Sequence, residues 1–199
     1  MEAPLNQTRQ PTLILASASP RRSELLREMG VPFTVEKADV SEVAPEYLSP
    51  VETAKINAYR KARATAKKHP DMLVLGADTV VSLGTEQFAK PIDMTDAERM
   101  LAKLQGRTHL VITGVCLLQL RPHRQRLFAV STSVTFRKLH LGQIRRYLAK
   151  IHPFDKAGSY AIQDEGDMIV KGFKGSYSNV VGLPVERLKV ELERMRAAK

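Results

Sequence analysis

Asp78 ends the run Met72-Leu-Val-Leu-Gly-Ala-Asp78, after four apolar and two small residues. An apolar run of that length suits a buried strand, so the carboxylate is expected at its tip, rigidly held and partly dry. Such a group can ligate a hard cation such as Mg²⁺ or steer a water as a general base. The plainer reading is a turn aspartate that caps backbone amides. A second set lies in Leu13-Ile-Leu-Ala-Ser-Ala-Ser-Pro-Arg-Arg-Ser-Glu-Leu-Leu26. Its apolar start reads as a strand, Ser17 and Ser19 as a tight loop, and Pro20 as the first turn of a helix. Leu25, Leu26 and Met29 share a face, and Gly30 closes the helix. A helix N-terminus carries partial positive charge and free amides, so Arg21 and Arg22 sit there at a disadvantage unless an anion joins them. Phosphate fits, because a guanidinium grips it through paired hydrogen bonds. Ser17, Ser19, Arg21 and Arg22 are therefore candidate phosphate ligands.

Glu42 could be a second metal-directed carboxylate, although an acid in a polar loop is ordinary. Lys61 and Lys90 could neutralise phosphate charge. Lys61 lies in a basic helix, where a solvated face is the usual reading, whereas Lys90, before Pro91 at a hairpin end, can project into a cleft. Asp155-Lys-Ala-Gly-Ser-Tyr-Ala-Ile-Gln163 combines an acid, a base and an amide in one loop. The Gln163 carboxamide offers both a donor and an acceptor, which suits the imide edge of uracil or thymine, or equally a loop carbonyl. His69, His109, His123, His140 and His152 show no close ligand spacing, which argues against zinc. Neither a Gly-x-x-x-x-Gly-Lys-Ser/Thr loop nor Gly-x-Gly-x-x-Gly occurs, which argues against a P-loop NTPase and a dinucleotide-binding domain.

The elements that must position these residues can be read in order. Residues 1–11 form a loose tail, Thr12 to Ala16 a strand, Pro20 to Met29 a helix and Pro32 to Val35 a short strand. An acidic, turn-rich stretch leads to a long helix from Pro50 to Lys68. Ser49 is its N-cap and Glu52, three residues on, completes a capping box. Val80 to Leu83 and Gln87 to Ala89 read as a hairpin, and Thr95 caps a helix through Leu104. Two long β runs, Thr108 to Leu120 and Arg126 to Leu139, flank a basic turn. Leu141 to Ile151 is helical, Phe154 to Lys174 mostly loop and short strand, and a basic helix ends the chain. This order predicts an α/β fold with a mixed, elongated twisted sheet flanked by helices. Ligands bind beyond the carboxyl ends of strands in open α/β sheets, so Ser17–Arg22 and Asp78-Thr79 are expected to face one cleft.

The 199 residues suit one domain and carry 31 Lys and Arg against 21 Asp and Glu, a net charge of +10 that favours anionic partners. Aromatic residues are only 6% and Trp is absent, which leaves few platforms for stacking single-stranded nucleic acid. The one cysteine, Cys116, lies in an apolar run and reads as a buried small hydrophobe. With no apolar signal region near the start and no run approaching ~18 apolar residues, a cytoplasmic protein with no membrane partner is expected.

Taken together, the quoted segments resemble the Maf family of nucleoside triphosphate pyrophosphatases. The likeness is carried by Ala16-Ser-Ala-Ser-Pro-Arg-Arg-Ser-Glu-Leu-Leu26, Leu75-Gly-Ala-Asp-Thr-Val80, Lys90-Pro91, Leu104-Gln-Gly106 with Thr113-Gly-Val115, Asp155-Lys-Ala-Gly158 and Gly175-Ser-Tyr-Ser-Asn-Val-Val-Gly-Leu-Pro184, in the family's order. The resemblance implies two lobes around a central cleft, cleavage between the α and β phosphates, a divalent metal (Mg²⁺ or Mn²⁺) and a homodimer. It puts the catalytic aspartate on Asp78, also a metal ligand with Glu42. Its charged phosphate-binding positions fall on Arg21, Arg22, Lys61, Lys90 and Lys156. The branch acting on dTTP and UTP carries Tyr-x-Ile-Gln, matched here by Tyr160-Ala-Ile-Gln163, and the 7-methyl-GTP branch a Phe-Lys-x-Glu-like stretch. Arg21, Thr79 and Gln163 match the positions tied to pyrimidine choice. Asp164 and Glu165 replace the glycine usual after that glutamine.

The expected function is thus hydrolysis of dTTP and UTP to monophosphate and pyrophosphate, clearing unwanted pyrimidine triphosphates. Two other classes stand beside it. One is a nucleic-acid-binding module resting on the charge, the Arg121–Arg126 turn and the basic last helix. The other is a regulator of septum formation, a process to which the family is linked.

Overall fold

The computed structural model describes residues 13–197, so the expected N-terminal tail and Thr12 lie outside the described residues. Among the described residues six α-helices flank an open seven-stranded sheet. Strands β1 (Leu13–Leu15), β2 (Phe33–Val35), β3 (Val74–Leu83), β5 (Thr108–Gln119), β6 (Arg124–Phe136) and β7 (Val170–Lys174) lie in the order β2-β1-β3-β5-β6-β7, and β4 (Glu86–Phe88) pairs with β3. β1 runs parallel to β2 and β3, and the other pairings are antiparallel. The mixed α/β sheet expected from the element order is therefore what forms.

The helices are α1 (Pro20–Glu28), α2 (Pro50–Lys68), α3 (Met94–Leu104), α4 (Leu141–Leu148), α5 (Tyr177–Val181) and α6 (Val185–Ala197). α2 has the bounds and the capping box read from its sequence: Ser49 N donates to Glu52 Oε2 at 2.8 Å and Glu52 N donates to Ser49 Oγ at 3.3 Å. α3 differs, because its cap is Asp93, whose carboxylate accepts from Asp96 N at 2.7 Å, and not Thr95. The five-residue α5 is an addition, capped by Ser176 where the sequence reading assigns no element.

Asp78 is not at a strand tip. β3 runs unbroken for ten residues, and Asp78 pairs with Gly114 in its middle. The small residues before it serve packing and not a turn. Gly76 and Gly114 lie beneath α2, where an added Cβ would stand 2.2 Å from Ala58 O and 2.3 Å from Ala54 O. The buried stripe Ala54, Ala58, Ala62 and Ala66 is the other half of that contact.

β3 also passes through two hydrophobic cores on its other face. Ala77 belongs to a core of Leu13, Leu15, Val115 and Leu117 with Leu26 of α1 and Leu188 and Leu192 of α6. Val81 belongs to another, formed with Val111, Val134 and Phe136 under α3 and α4. Between them stands Thr79. β5 repeats the order with Val115, Thr113 and Val111. A polar belt therefore divides one sheet into two lobes. Among the described residues no helix is long and apolar enough to cross a membrane. Gly76→Ala and Gly114→Ala are each expected to cost about 3 kcal/mol of stability by forcing α2 off the sheet. Urea denaturation measures this, and an unchanged midpoint would show that the helix retreats freely.

Candidate active site

The sheet opens where β1 ends. β1 pairs with β3 only as far as Leu75, and β4 takes up that edge again at Val81. The edge of β3 between these points borders a cavity of about 610 Å³, lined by the Ser17–Arg22 loop, the Glu42 segment, α2, Lys90 and the Asp155–Gln163 loop. Alternation along β3 sends Asp78 and Thr79 to opposite faces of the strand, and both reach the cleft.

On the α2 face, Lys61 Nζ donates to Asp78 Oδ1 at 2.6 Å and to Glu42 Oε1 at 2.7 Å. The Lys61 side chain is only 12% exposed, so the solvated-face reading does not hold. Asn57 Nδ2 donates to Asp78 Oδ2 at 3.2 Å and to Val43 O at 2.9 Å, while its Oδ1 accepts from Val43 N at 2.9 Å. Burial raises the Asp78 pKa, opposed by Lys61 and reinforced by the charge of Glu42. Burial also acts to raise the pKa of Glu42, but the charge and hydrogen bond of Lys61, helped by Lys90 and Arg22, outweigh it and bring it down to about 2. Lys90 is half-exposed, 3.5 Å from Glu42. The two carboxylates thus converge on one point, which the Lys61 ammonium fills; as a hard-oxygen donor pair they suit a divalent metal completed by water and phosphate oxygens. No cluster of three or more acidic, His or Cys side chains occurs among the described residues, and such a metal does not require one.

On the opposite face, Arg22 donates to Gly182 O at 2.8 Å, Ser17 Oγ at 3.1 Å and Thr79 Oγ1 at 3.1 Å. Thr113 spends its hydroxyl proton on Asn179 O at 2.9 Å, so the 3.0 Å contact between Thr79 and Thr113 requires Thr79 to donate. Arg22, Thr79, Thr113 and the Asn179 carbonyl therefore form a one-way chain that leaves Thr79 an acceptor toward the cleft. Arg21 reaches across to the second lobe, donating to Asp155 Oδ2 at 2.9 Å and Asp155 O at 3.3 Å. Ser19 makes no side-chain cap and lines the cleft.

Lys156 lines the same cleft. It is buried, and its ammonium donates to His152 O at 2.8 Å and Asp155 Oδ1 at 2.9 Å, with Asp164 Oδ2 at 3.3 Å as a further ionic partner, so it also ties the loop together. Asp164 finds its partner there, and Glu165 pairs with Lys150 at 2.8 Å. Gln163 is exposed at the rim and makes no hydrogen bond among the described residues.

The order of these segments along the chain can now be set against known proteins. Residues 12–195 match the family described as Maf-like protein. The chain belongs to that family. It is 47% identical over 184 residues to the dTTP/UTP pyrophosphatase of Exiguobacterium sibiricum, with 92% of each chain covered. It is 45% identical over 191 residues to the dTTP/UTP pyrophosphatase of Myxococcus xanthus, with 93% of each covered. A protein of the same name from Akkermansia muciniphila is 45% identical over 175 residues, covering 88% of this chain and 92% of its own.

Asn57 is the site residue of this Maf-like chain that sequence reading missed. A signal was present: Thr53, Asn57 and Lys61 recur every four residues beside the alanine stripe, so a polar row runs along the buried side of α2. Asn57 clamps the segment bearing Glu42 through both backbone groups of Val43. Asn57→Ala is expected to cost about 2 kcal/mol, because buried partners lose their bonds. Amide exchange around Val43 should rise, and equal exchange in both proteins would refute the clamp.

Proposed function

We propose that this Maf-like protein hydrolyses dTTP and UTP to the nucleoside monophosphate and pyrophosphate, the activity named for the relatives above. The observation that carries the reading is the gathering of Arg21, Arg22, Lys61 and Lys90 around Asp78 in one cleft, with the carboxamide of Gln163 free at its rim. In the reaction a water oxygen bonds to the α-phosphorus, the bridge to the β-phosphate breaks and pyrophosphate departs with the bridging oxygen.

Asp78 is the catalytic carboxylate in this proposal. Held by Lys61 and Asn57, it orients the attacking water and accepts its proton. Arg21, Arg22, Lys61 and Lys90 neutralise the triphosphate, with Ser17 and Ser19 at the phosphate loop, and stabilise the charge that builds on the leaving group. Asp78 and Glu42 would hold Mg²⁺ or Mn²⁺, which when bound supplies charge neutralisation at the phosphates and a more acidic water. Arg21, Thr79 and Gln163 select the pyrimidine. Thr79 offers an acceptor, and the Gln163 carboxamide can meet an imide edge with donor and acceptor together. A single Maf-like domain, a homodimer and a cytoplasmic setting complete the proposal. The first two rest on the family resemblance, the third on a single cysteine, Cys116, which excludes a disulfide framework within one chain.

The nucleic-acid reading loses support from the charge pairing. Arg121 meets Asp71 at 3.1 Å, and Arg187 and Arg194 of the last helix converge on buried Glu191 at 2.6 and 3.0 Å. Some of the cations behind that reading thus already have acidic partners. Septum arrest has no residue here from which it derives.

Pyrophosphate release with Mg²⁺ or Mn²⁺ should favour dTTP and UTP over 7-methyl-GTP, ITP and ATP. Turnover of 7-methyl-GTP instead would keep the chemistry and reject the base reading. Asp78→Asn should lower kcat about 10³-fold while nucleotide affinity changes little, and a wild-type rate would remove Asp78 from the mechanism. Gln163→Ala should flatten the substrate ranking without a matching loss of thermal stability.

A further inference from the structure

The segment that ends in Gln163 is held from behind by two aromatic hydroxyl contacts. Tyr160 is 5% exposed, and its hydroxyl lies 2.7 Å from Nε2 of His109, which is 2% exposed on β5. The His109 ring meets Phe136 and Tyr160 edge-on, with centroids 4.7 and 5.4 Å away. Burial drives the His109 pKa down to about 4, so the imidazole is neutral near pH 7 and adds no buried charge. At the next residue, buried Tyr147 of α4 takes both backbone groups of Ala161. Its hydroxyl donates to Ala161 O at 3.2 Å and accepts from Ala161 N at 3.2 Å. Beyond Gln163, Asp164 is tied to Lys156. The backbone is thus fixed on both sides of Ile162 and Gln163, and the Gln163 side chain makes no hydrogen bond among the described residues.

A flexible carboxamide discriminates between bases only if its backbone is fixed, since a misplacement of an ångström costs a directional contact most of its value. We propose that Tyr147 and His109 are positioning residues for substrate choice, holding the Tyr160–Gln163 segment so that Gln163 meets the pyrimidine edge. This deepens the base-reading role proposed above and rests on it. Neither residue touches the triphosphate in this scheme, so both act on which base is accepted and not on the hydrolytic step.

The test compares wild type, Tyr147→Phe and Tyr160→Phe, each with and without Gln163→Ala, by the ratio of kcat/KM for dTTP to that for dCTP. Both Tyr→Phe changes keep the ring and remove the hydroxyl, so melting temperatures should fall by a few degrees. In the Gln163 background each should lower the ratio about tenfold, mostly through KM for dTTP. In the Gln163→Ala background the same changes should move the ratio by less than about twofold, because their effect runs through the missing carboxamide. Equal losses for both substrates, leaving the ratio at the wild-type value, would reduce the two contacts to structural ones and overturn the inference. If wild type is selective and Gln163→Ala abolishes that selectivity, such a result rejects the positioning role alone. If wild type shows no preference, or Gln163→Ala keeps it, the base reading fails and the inference falls with it.

Discussion

Helix α2 lies so close to the sheet that its backbone occupies the space where side chains at positions 76 and 114 would stand. Small residues on both surfaces permit this: alanines at every fourth position of the helix and glycines on two neighbouring strands. Dispersion over such close backbones is dense, and no long side chain has to be ordered to obtain it. The contact also sets a distance. Asn57 and Lys61, beside the alanine stripe, reach Asp78 at 3.2 and 2.6 Å from this approach. Asn57 in turn fastens the segment carrying Glu42. The charged centre is thus positioned by an apolar seam, and the aspartate inherits its setting from residues with no chemistry of their own.

Much of this arrangement was legible beforehand, and the exceptions share a cause. α2 follows from Ser49, Pro50 and Glu52, because capping is local chemistry. The loop at Ser17 and the helix behind it follow from Pro20 at the first turn, which is also a local signal. Asp78 was placed at a strand tip because Gly76 and Ala77 look like the start of a turn, when their smallness answers a helix that sequence alone does not bring near. Lys61 looked solvated because its neighbours along α2 are basic, while its partners Glu42 and Asp78 lie 19 and 17 residues away. Lys156 falls on a phosphate-binding position by resemblance, and its burial against His152, Asp155 and Asp164 is a tertiary fact that no local pattern shows. Local rules located the candidate residues, and long-range packing decided what each one faces.

The same distinction clarifies the acidic pair after Gln163. Asp164 and Glu165 do not crowd the base pocket as free charges, because Lys156 and Lys150 receive them. Through Lys156, Asp164 joins Asp155, and Asp155 holds Arg21. A line of alternating charge therefore runs from the rim loop to the first helix across the mouth of the cleft. Apart from buried Lys156 its members are partly exposed, so its strength depends on ionic strength.

The course of β3 has a mechanical consequence. Enzymes with a cleft between two lobes often open it about a hinge made of loose connecting chain. Here the connection is the sheet itself, since β3 and β5 each lend residues to both hydrophobic cores and bridge the belt between them with paired backbone. Parting the lobes would have to bend or twist hydrogen-bonded strands, a stiff motion of small amplitude. The two loops that carry Glu42 and Gln163 are pinned to this frame at Val43 and Ala161. The sheet then acts as a fixed jaw, and the cleft keeps its shape through short contacts on both of its sides.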